Sequence, residues 1–353
     1  MSNKSTLGYL SNHGNTSGFD YLRLGLAICV LAWHSAGITY GREFAIYLTG
    51  TALGNVTLLI LPAFFALSGF LVTSSLMRSR TLGEFMGLRL LRLIPALVVE
   101  ISLSALILGP FFTVFDINSY FSDPKFLSYF LNVIGVIQYV LPGVYSDNAI
   151  PSVVNGSLWT VPYELECYLA VGLLWILRQR DNKYAPLAAL LIWIGLLGIF
   201  TLLGVYEPLK PDSVSGRMLL SYFLSGVCLY YFRNQIPAKK SLFLLSIFIA
   251  VLTVKIKLFV LVTPLLVAYA TVYVGLLRPV RLPYIFSGDY SYGIYLYAFP
   301  VQQAIYVLIP KYHSWGAHFV LSLTLTSLLA VFSWHAFRST ESTDNKSVRV
   351  CNG

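Results

Sequence analysis

The feature that most constrains this chain is a series of nine apolar segments, each about long enough to cross a lipid bilayer as a helix. About 20 residues at 1.5 Å each span the hydrocarbon core. Backbone polar groups inside a bilayer must be satisfied within the segment, so these stretches predict helices. They lie near residues 19–39, 56–77, 93–115, 158–177, 185–205, 218–232, 258–277, 290–309 and 317–337.

A tenth segment, near 241–254, is shorter and is followed by Lys255 and Lys257. It can cross if it tilts or if the bilayer thins, and it can also be re-entrant. Only 11% of the residues are charged, against about a quarter in soluble domains. We therefore predict an all-α, polytopic membrane bundle of about ten transmembrane helices.

The orientation follows from the lysines and arginines of the loops. With the N-terminus in the cytoplasm, 17 of the 24 basic residues lie inside and 7 outside. Both termini are then cytoplasmic. The first apolar segment has full transmembrane length and contains Arg23 and His34, so we interpret it as a retained helix and not as a signal peptide. We expect a tail over 1–16, one membrane domain over 17–337 and a polar cytoplasmic tail over 338–353.

Charge and cysteine content exclude some classes of protein. The formal net charge is +9, but the basic residues form short clusters between apolar segments. This pattern indicates how the loops are oriented across the membrane and is not typical of a nucleic-acid-binding surface. Three cysteines lie in apolar segments, the fourth lies in the polar tail, and no metal-ligand spacing occurs. We expect no nucleic-acid partner, no disulfide framework and no metal.

Ionisable side chains at membrane depth are costly and usually functional. Five qualify in this chain: Arg23, His34, Glu100, Glu164 and Glu166. They form the list of candidate site residues.

His34 and Glu164 are the candidates for proton transfer. Arg23 and His34 lie eleven residues apart, on one face of a helix and about 16 Å apart along it. With the predicted orientation, His34 lies in the outer third and Glu164 just below the outer surface, where the two could form a general-base pair. The alternatives are a structural imidazole for His34 and helix N-terminal acids for Glu164 and Glu166.

Arg89 and Arg92, in GLRLLRLIP, lie three residues apart and share a helix face just inside the predicted cytoplasmic end of helix three. Guanidinium groups suit phosphates. The alternative is a pair of ordinary positive-inside anchors.

The longest predicted connection, about 116–157, lies outside and contains the amphipathic stretch KFLSYFLNVIGVIQYV. A lid or interfacial helix would have this pattern, and so would a plain surface loop.

The chain resembles the acyltransferase-3 family over about residues 17–337. The first helix, FDYLRLGLAICVLAWHS, matches the family's pattern of an arginine, ten residues and a histidine. FFALSGFLV at 64–72, the Arg-x-x-Arg pair, SLWTVPYELECYL at 157–169 and SYGIYLYAFPV at 291–301 follow in the family's order. The last motif departs from the common pattern, because Ala298 stands where a histidine often precedes the proline.

The resemblance implies a bacterial inner-membrane enzyme that moves an acyl group, with acetyl expected, from acyl-CoA to a hydroxyl of a polysaccharide or lipid-linked glycan. It makes Arg23 and His34 the essential pair of helix one, Arg89 and Arg92 the cytoplasmic pair and Glu164 the acid of the fourth helix.

We expect acetyl-CoA phosphates near Arg23, Arg89 and Arg92, and His34 as general base or acyl carrier. Membrane lipids are the further partners expected, and the sequence leaves the oligomeric state open.

Two other classes of membrane protein are the alternatives to an acyltransferase. A secondary transporter or lipid-linked sugar flippase also places His, Glu and Arg in membrane cavities, but it predicts internal repeats and paired broken helices, neither of which is visible. A sensory or scaffold protein leaves the intramembrane charges without a purpose.

Overall fold

The computed structural model describes residues 6–12, 17–211, 213–256, 259–282, 290–310 and 314–350. Within them the backbone forms helices and isolated bridges but no β-strand. Each of the ten predicted segments coincides with a helix. These helices are α1 (Gly18–Tyr40), α2 (Ile60–Arg78), α3 (Leu82–Leu103), α4 (Val161–Ile176), α5 (Tyr184–Leu202), α6 (Gly216–Phe232), α7 (Lys240–Thr253), α8 (Phe259–Gly275), α9 (Ser291–Leu308) and α10 (Trp315–Val350).

Five stretches in the described ranges are long and apolar enough to cross a membrane: Gly18–Tyr40, Ala52–Arg78, Leu82–Phe112, Tyr184–Leu202 and Trp315–His335. The protein is therefore a helical membrane protein, as predicted. The total of about ten crossings and the side on which each terminus lies stay predictions.

The third helix begins earlier than its apolar segment. We predicted an apolar segment from about 93, with Arg89 and Arg92 just inside the end of the helix, but α3 begins at Leu82 and the helical stretch continues through a π-helical turn, Ser104–Leu108, to Phe112. The helix therefore extends further before the two arginines than the apolar segment indicated. A helix can carry such charges where other side chains of the protein compensate them.

The chain forms two compact units that alternate along the sequence. The first contains Met1–Cys29, Glu43–Arg92 and Trp159–Val280, and the second contains Val30–Arg42, Leu93–Leu158 and Arg281–Gly353. Both α1 and α3 pass from the first unit into the second. The predicted division into two tails and one membrane domain stays a prediction.

Close packing of α2 on α6 forms the centre of the first unit. A Cβ atom added at Gly69 would lie 2.0 Å from the carbonyl oxygen of Phe223, and one added at Gly226 would lie 2.0 Å from that of Ala66. The backbones thus touch at two glycines, one on each helix, which is how small residues hold membrane helices together. Helix α8 packs against both.

Several loops that we predicted to be cytoplasmic meet at one end of the first unit. The main-chain amide of Gly8 donates to the carbonyl of Arg233 at 2.7 Å, and the Arg278 guanidinium donates to the carbonyl of Leu10 at 3.0 Å. The helix Leu7–Asn12 thereby links residues 231–240 to residues 276–280. We call this region the basic end, because its charged side chains are Arg233, Lys239, Lys240 and Arg278.

The long connection 116–157 is anchored within the second unit. It begins with the short helices Ile117–Ser122 and Pro124–Tyr129. Further on, the side-chain amide of Gln303 on α9 donates to the carbonyls of Ile150, at 2.9 Å, and Val153, at 2.7 Å. Gln303 is fully buried. The last part of the connection is therefore held against α9, and the choice between a lid or interfacial helix and a surface loop for the amphipathic stretch stays a prediction.

Candidate active site

A cluster of ionisable groups lies inside the first unit, on α3 and α4. The Glu164 carboxylate accepts a short hydrogen bond from the Tyr168 hydroxyl one turn along α4. It also interacts electrostatically with the guanidinium groups of Arg89 and Arg92. Arg89 Nη2 donates to the hydroxyl of Ser75 at 3.2 Å. We call Ser75, Arg89, Arg92, Glu164 and Tyr168 the arginine cluster.

The arginine cluster corrects our assignment of depths. We expected Arg89 and Arg92 near the cytoplasmic surface and Glu164 near the outer surface, yet the Glu164 carboxylate lies close enough to both guanidinium groups to interact with them electrostatically. Because α3 begins at Leu82, Arg89 and Arg92 lie seven and ten residues into it, about 10 and 15 Å along its axis. Glu164 is twelve residues, about 18 Å, from the end of α4 at Ile176. Arg89 and Arg92 therefore lie well inside α3, whereas Glu164 lies in the first turn of α4.

The composition of the cluster favours an anionic ligand. Two guanidinium groups face one carboxylate, so one positive charge is left over among these three groups. The Nε atom of Arg89 is shielded from solvent and has no hydrogen-bond partner among the described residues. Guanidinium donors and an excess positive charge suit phosphate oxygens.

Glu166 has a different environment. Its carboxylate pairs with Arg217 on α6 at 2.7 Å, and the two side chains are 37% and 52% exposed. Pairs of this kind contribute little to stability or chemistry. We therefore assign Glu166 to the structure of the first unit and not to the site.

His34 lies in the second unit, on the second half of α1. Its ring meets Phe299 of α9 edge to face, with ring centroids 5.2 Å apart. The Nδ1 atom is shielded from solvent and has no hydrogen-bond partner in the described part of the chain. A buried ring nitrogen without a protein partner can accept a proton from a bound substrate or donate one to it.

Gln302, which sequence reasoning missed, binds residues of α1 on both sides of His34. Its side-chain amide donates to the carbonyl of Leu31 at 2.8 Å and to the hydroxyl of Ser35 at 2.7 Å. Gln302 is fully buried. The signal was present, because adjacent glutamines at 302 and 303 interrupt an apolar segment, and polar residues at membrane depth connect helices or serve function.

The two residues just before the motif at 157–169 contact the motif at 291–301 beside the imidazole. A Cβ atom at Gly156 would lie 2.6 Å from the ring of Phe299, so the segment before α4 packs directly on the residue that contacts His34. The side chain of Asn155 donates to the carbonyl of Leu296 at 3.0 Å. Ala298, at the position where the family often has a histidine, is buried.

Glu100, on α3, lies in the second unit. It is fully buried, and its carboxylate accepts a hydrogen bond of 2.8 Å from Ser104, the first residue of the π-helical turn. Asn155 is its other polar neighbour. The acid is thus tied to the segment that packs on Phe299.

The predicted site residues divide between the two units. Arg23, Arg89, Arg92 and Glu164 belong to the first, and His34 belongs to the second. The pairing of Glu164 with His34 stays a prediction. Among the described residues no group of three or more His, Cys, Asp or Glu side chains is arranged to hold a metal ion.

Comparison with known proteins identifies the family. The model of the acyltransferase-3 family, described as an acyltransferase domain, matches residues 16–335. An O-acetyl transferase of Shigella phage Sf6 is 27% identical over 339 residues, covering 90% of this chain and 93% of its own. Nodulation protein 10 of Rhizobium leguminosarum bv. viciae is 28% identical over 364 residues, covering 91% and 92%. No solved structure matches the chain significantly.

A helical membrane protein most of whose length matches an acyltransferase domain is a membrane-bound acyltransferase. The chain belongs to the acyltransferase-3 family and is an O-acyltransferase. The family match decides against the transporter and the scaffold alternatives.

Proposed function

We propose that the protein is an O-acetyltransferase of the bacterial inner membrane that moves acetyl from cytoplasmic acetyl-CoA to a hydroxyl of a polysaccharide or lipid-linked glycan on the outer face. About ten helices cross the membrane in this proposal, and both termini are cytoplasmic. The name of the phage relative, an O-acetyl transferase, supports the acetyl group. The excess of basic residues in the predicted inner loops supports the orientation.

The observation that carries the catalytic part is the imidazole of His34, whose Nδ1 atom no described residue engages. In the proposed step, a ring nitrogen of His34 takes the proton of the acceptor hydroxyl as the oxygen attacks the acetyl carbonyl carbon. The C–S bond then breaks, coenzyme A leaves as thiolate, and the imidazolium proton neutralises the thiolate. Gln302 keeps the imidazole in place through the main chain of α1.

The arginine cluster takes the donor's phosphates in this proposal. Arg89 and Arg92 offer the forked donors, and Glu164 limits the repulsion between them, so the site is preformed in the absence of ligand. Arg23 contributes a further cation on α1, about 16 Å from His34 along the helix axis. Acetyl-CoA acts here as a substrate.

The catalytic role is tested by replacing His34 with alanine in a strain that lacks the native gene, and by mass spectrometry of its surface polysaccharides. We expect the wild-type gene to restore an acetyl-sized mass and the His34→Ala variant to leave it absent. His335→Ala is the matched control, because that histidine is exposed and contacts Tyr290. Full acetylation by a normally inserted His34→Ala protein would exclude the base.

The donor site is tested separately with purified protein in nanodiscs. We expect Arg89→Gln and Arg92→Gln together to weaken acetyl-CoA binding at least tenfold, since two phosphate contacts are lost. Arg217→Gln removes an exposed cation paired with Glu166 and should leave the affinity unchanged. Equal affinities of the wild-type protein, the double variant and Arg217→Gln would exclude the arginine cluster as the phosphate site.

A further inference from the structure

An open groove runs along α1 within the first unit. It has a volume of about 690 Å³, and its walls come from α1 and from the C-terminal end of α8 with the residues that follow it. The walls include Leu22, Gly25 and Cys29 on one side and Val274, Leu277 and Arg278 on the other. Apart from Arg278, these groups are apolar or small.

The groove lies on a helix of membrane length and opens at residues that other parts of the protein leave uncovered. Gly25 and Cys29, one helical turn apart on α1, are both exposed. A Cβ atom at Gly25 would meet nothing within 4 Å. At membrane depth, the only abundant molecules that can fill apolar space of this kind are lipid chains, since water gains no hydrogen bonds there.

One end of the groove carries a positive charge. Arg278 is exposed and is held by its hydrogen bond to the carbonyl of Leu10. The Tyr21 hydroxyl donates to the carbonyl of Val280 at 2.6 Å and fixes the same segment against α1. Arg278 belongs to the basic end, whose described segments 6–12, 231–240 and 276–280 contain no acidic residue. Asp20, in the first turn of α1, is the acid nearest in sequence to the lining residues of α1, and it does not line the groove itself.

The dimensions suit a single chain. Gly18 and Cys29, both lining residues, are separated by eleven residues, about 16 Å of helix. The volume of the groove also lies within the range of about 300 to 1,000 Å³ that is typical of small-molecule ligand pockets. A cation at one end and an apolar channel beyond it match a phosphate joined to an acyl chain.

We propose that this groove binds one anionic glycerophospholipid, with its phosphate on Arg278 and one acyl chain lying along Leu22, Gly25 and Cys29. A zwitterionic lipid fills the channel equally well but carries no net charge for Arg278. One basic residue near a membrane surface corresponds to a preference of about fivefold for the anionic lipid. The inference does not depend on the reaction that the enzyme catalyses.

The test is native mass spectrometry of the full-length protein, titrated with phosphatidylglycerol or phosphatidylcholine. We expect one tightly retained phosphatidylglycerol and about fivefold weaker retention of phosphatidylcholine. The Cβ position of Gly25 meets nothing within 4 Å, so Gly25→Trp can place its ring in the groove and should abolish this binding. Gly195→Trp is the matched control, because Gly195 lies exposed on α5, outside the groove, with equal space around its Cβ position.

A second pair of variants tests the charge and does not depend on how Gly25→Trp folds. Arg278→Gln should keep one lipid but lose the preference for phosphatidylglycerol, whereas Lys240→Gln, which removes an exposed cation elsewhere at the basic end, should keep the preference. Equal retention of the two lipids by the wild-type protein, or unchanged binding by Gly25→Trp, would overturn the proposal. Displacement of the lipid by acetyl-CoA would assign the groove to the acyl donor and would also overturn it.

Discussion

Replacing Glu164 by glutamine is the sharpest perturbation of the arginine cluster. Glutamine keeps the size of the side chain and an oxygen that can accept the hydrogen bond of Tyr168. It removes the one negative charge that Arg89 and Arg92 face within the cluster. The other described partner of Arg89 is the neutral hydroxyl of Ser75. The net charge of the three ionisable groups therefore rises from one positive charge to two.

The size of the effect follows from Coulomb's law. At separations of about 4 to 8 Å and an effective dielectric constant of about 20, one charge pair is worth about 2 to 4 kcal/mol. Glu164 is only partly buried, and solvent reduces that energy, so we expect the variant to lose about 1 to 3 kcal/mol of stability. A phosphate that enters the cluster restores the missing negative charge. Acetyl-CoA should therefore bind about tenfold more tightly to Glu164→Gln, a change of about 1.4 kcal/mol.

The assay is a titration of acetyl-CoA against the purified protein in nanodiscs at low and high salt, together with a thermal melt. Glu166→Gln is the control, because it removes the same charge two residues away, from an exposed pair worth at most about 1 kcal/mol. Tighter binding by Glu164→Gln alone, weakened by salt, is the expected result. Weaker or unchanged binding by Glu164→Gln would refute the cluster as the phosphate site.

Three further predictions follow from individual contacts. Gly226→Leu places side-chain atoms where the carbonyl of α2 now lies, so it should lower the melting temperature strongly in a thermal melt, whereas Gly195→Leu faces open space and should not. Gln302→Leu should lower kcat while the KM for acetyl-CoA stays unchanged in steady-state kinetics, because it releases the main chain beside His34. Asp116 caps Ile117–Ser122, and its hydrogen bonds with Ser119 hold the pKa of the carboxyl below its usual range. The cap should therefore persist at neutral pH and fail only in acid below that range, and at neutral pH Asp116→Ala should speed amide exchange of that helix while Asp116→Asn does not.

Apolar continuity predicted the positions of the helices well, because a helix is the only element that can satisfy its own backbone in a bilayer. It failed where charges lie inside a helix. The apolar segment begins near 93, eleven residues after the start of α3, because Arg89 and Arg92 interrupt it and a single sequence does not identify their partners. Glu164, more than seventy residues further along the chain, is one of those partners, and pattern reasoning within one segment does not reach it.

The same limit applies to the second unit. His34 was identified as a candidate site residue from the sequence, because a histidine at membrane depth is costly and usually functional. Its surroundings were not, because Gln302 and Phe299 come from α9 and Gly156 from the segment before α4. A glutamine inside an apolar segment indicates a polar contact with another helix, but a single sequence does not identify that helix. Only the three-dimensional packing identifies the main chain of α1 as the acceptor.

The two helices that carry Arg23, His34, Arg89, Arg92 and Glu100 both divide between the units, and they divide in the same sense. Helix α1 contributes Arg23 to the first unit and His34 to the second, and α3 contributes Arg89 and Arg92 to the first and Glu100 to the second. The cations are thus all on one side of each division, and the imidazole and the buried acid are on the other. For the proposed reaction the two groups of residues have different requirements, because the donor's phosphates require fixed positive charge, whereas a base that takes a proton from a hydroxyl works best without a neighbouring cation. Substitutions in the arginine cluster should therefore act on donor affinity, and those around His34 on turnover.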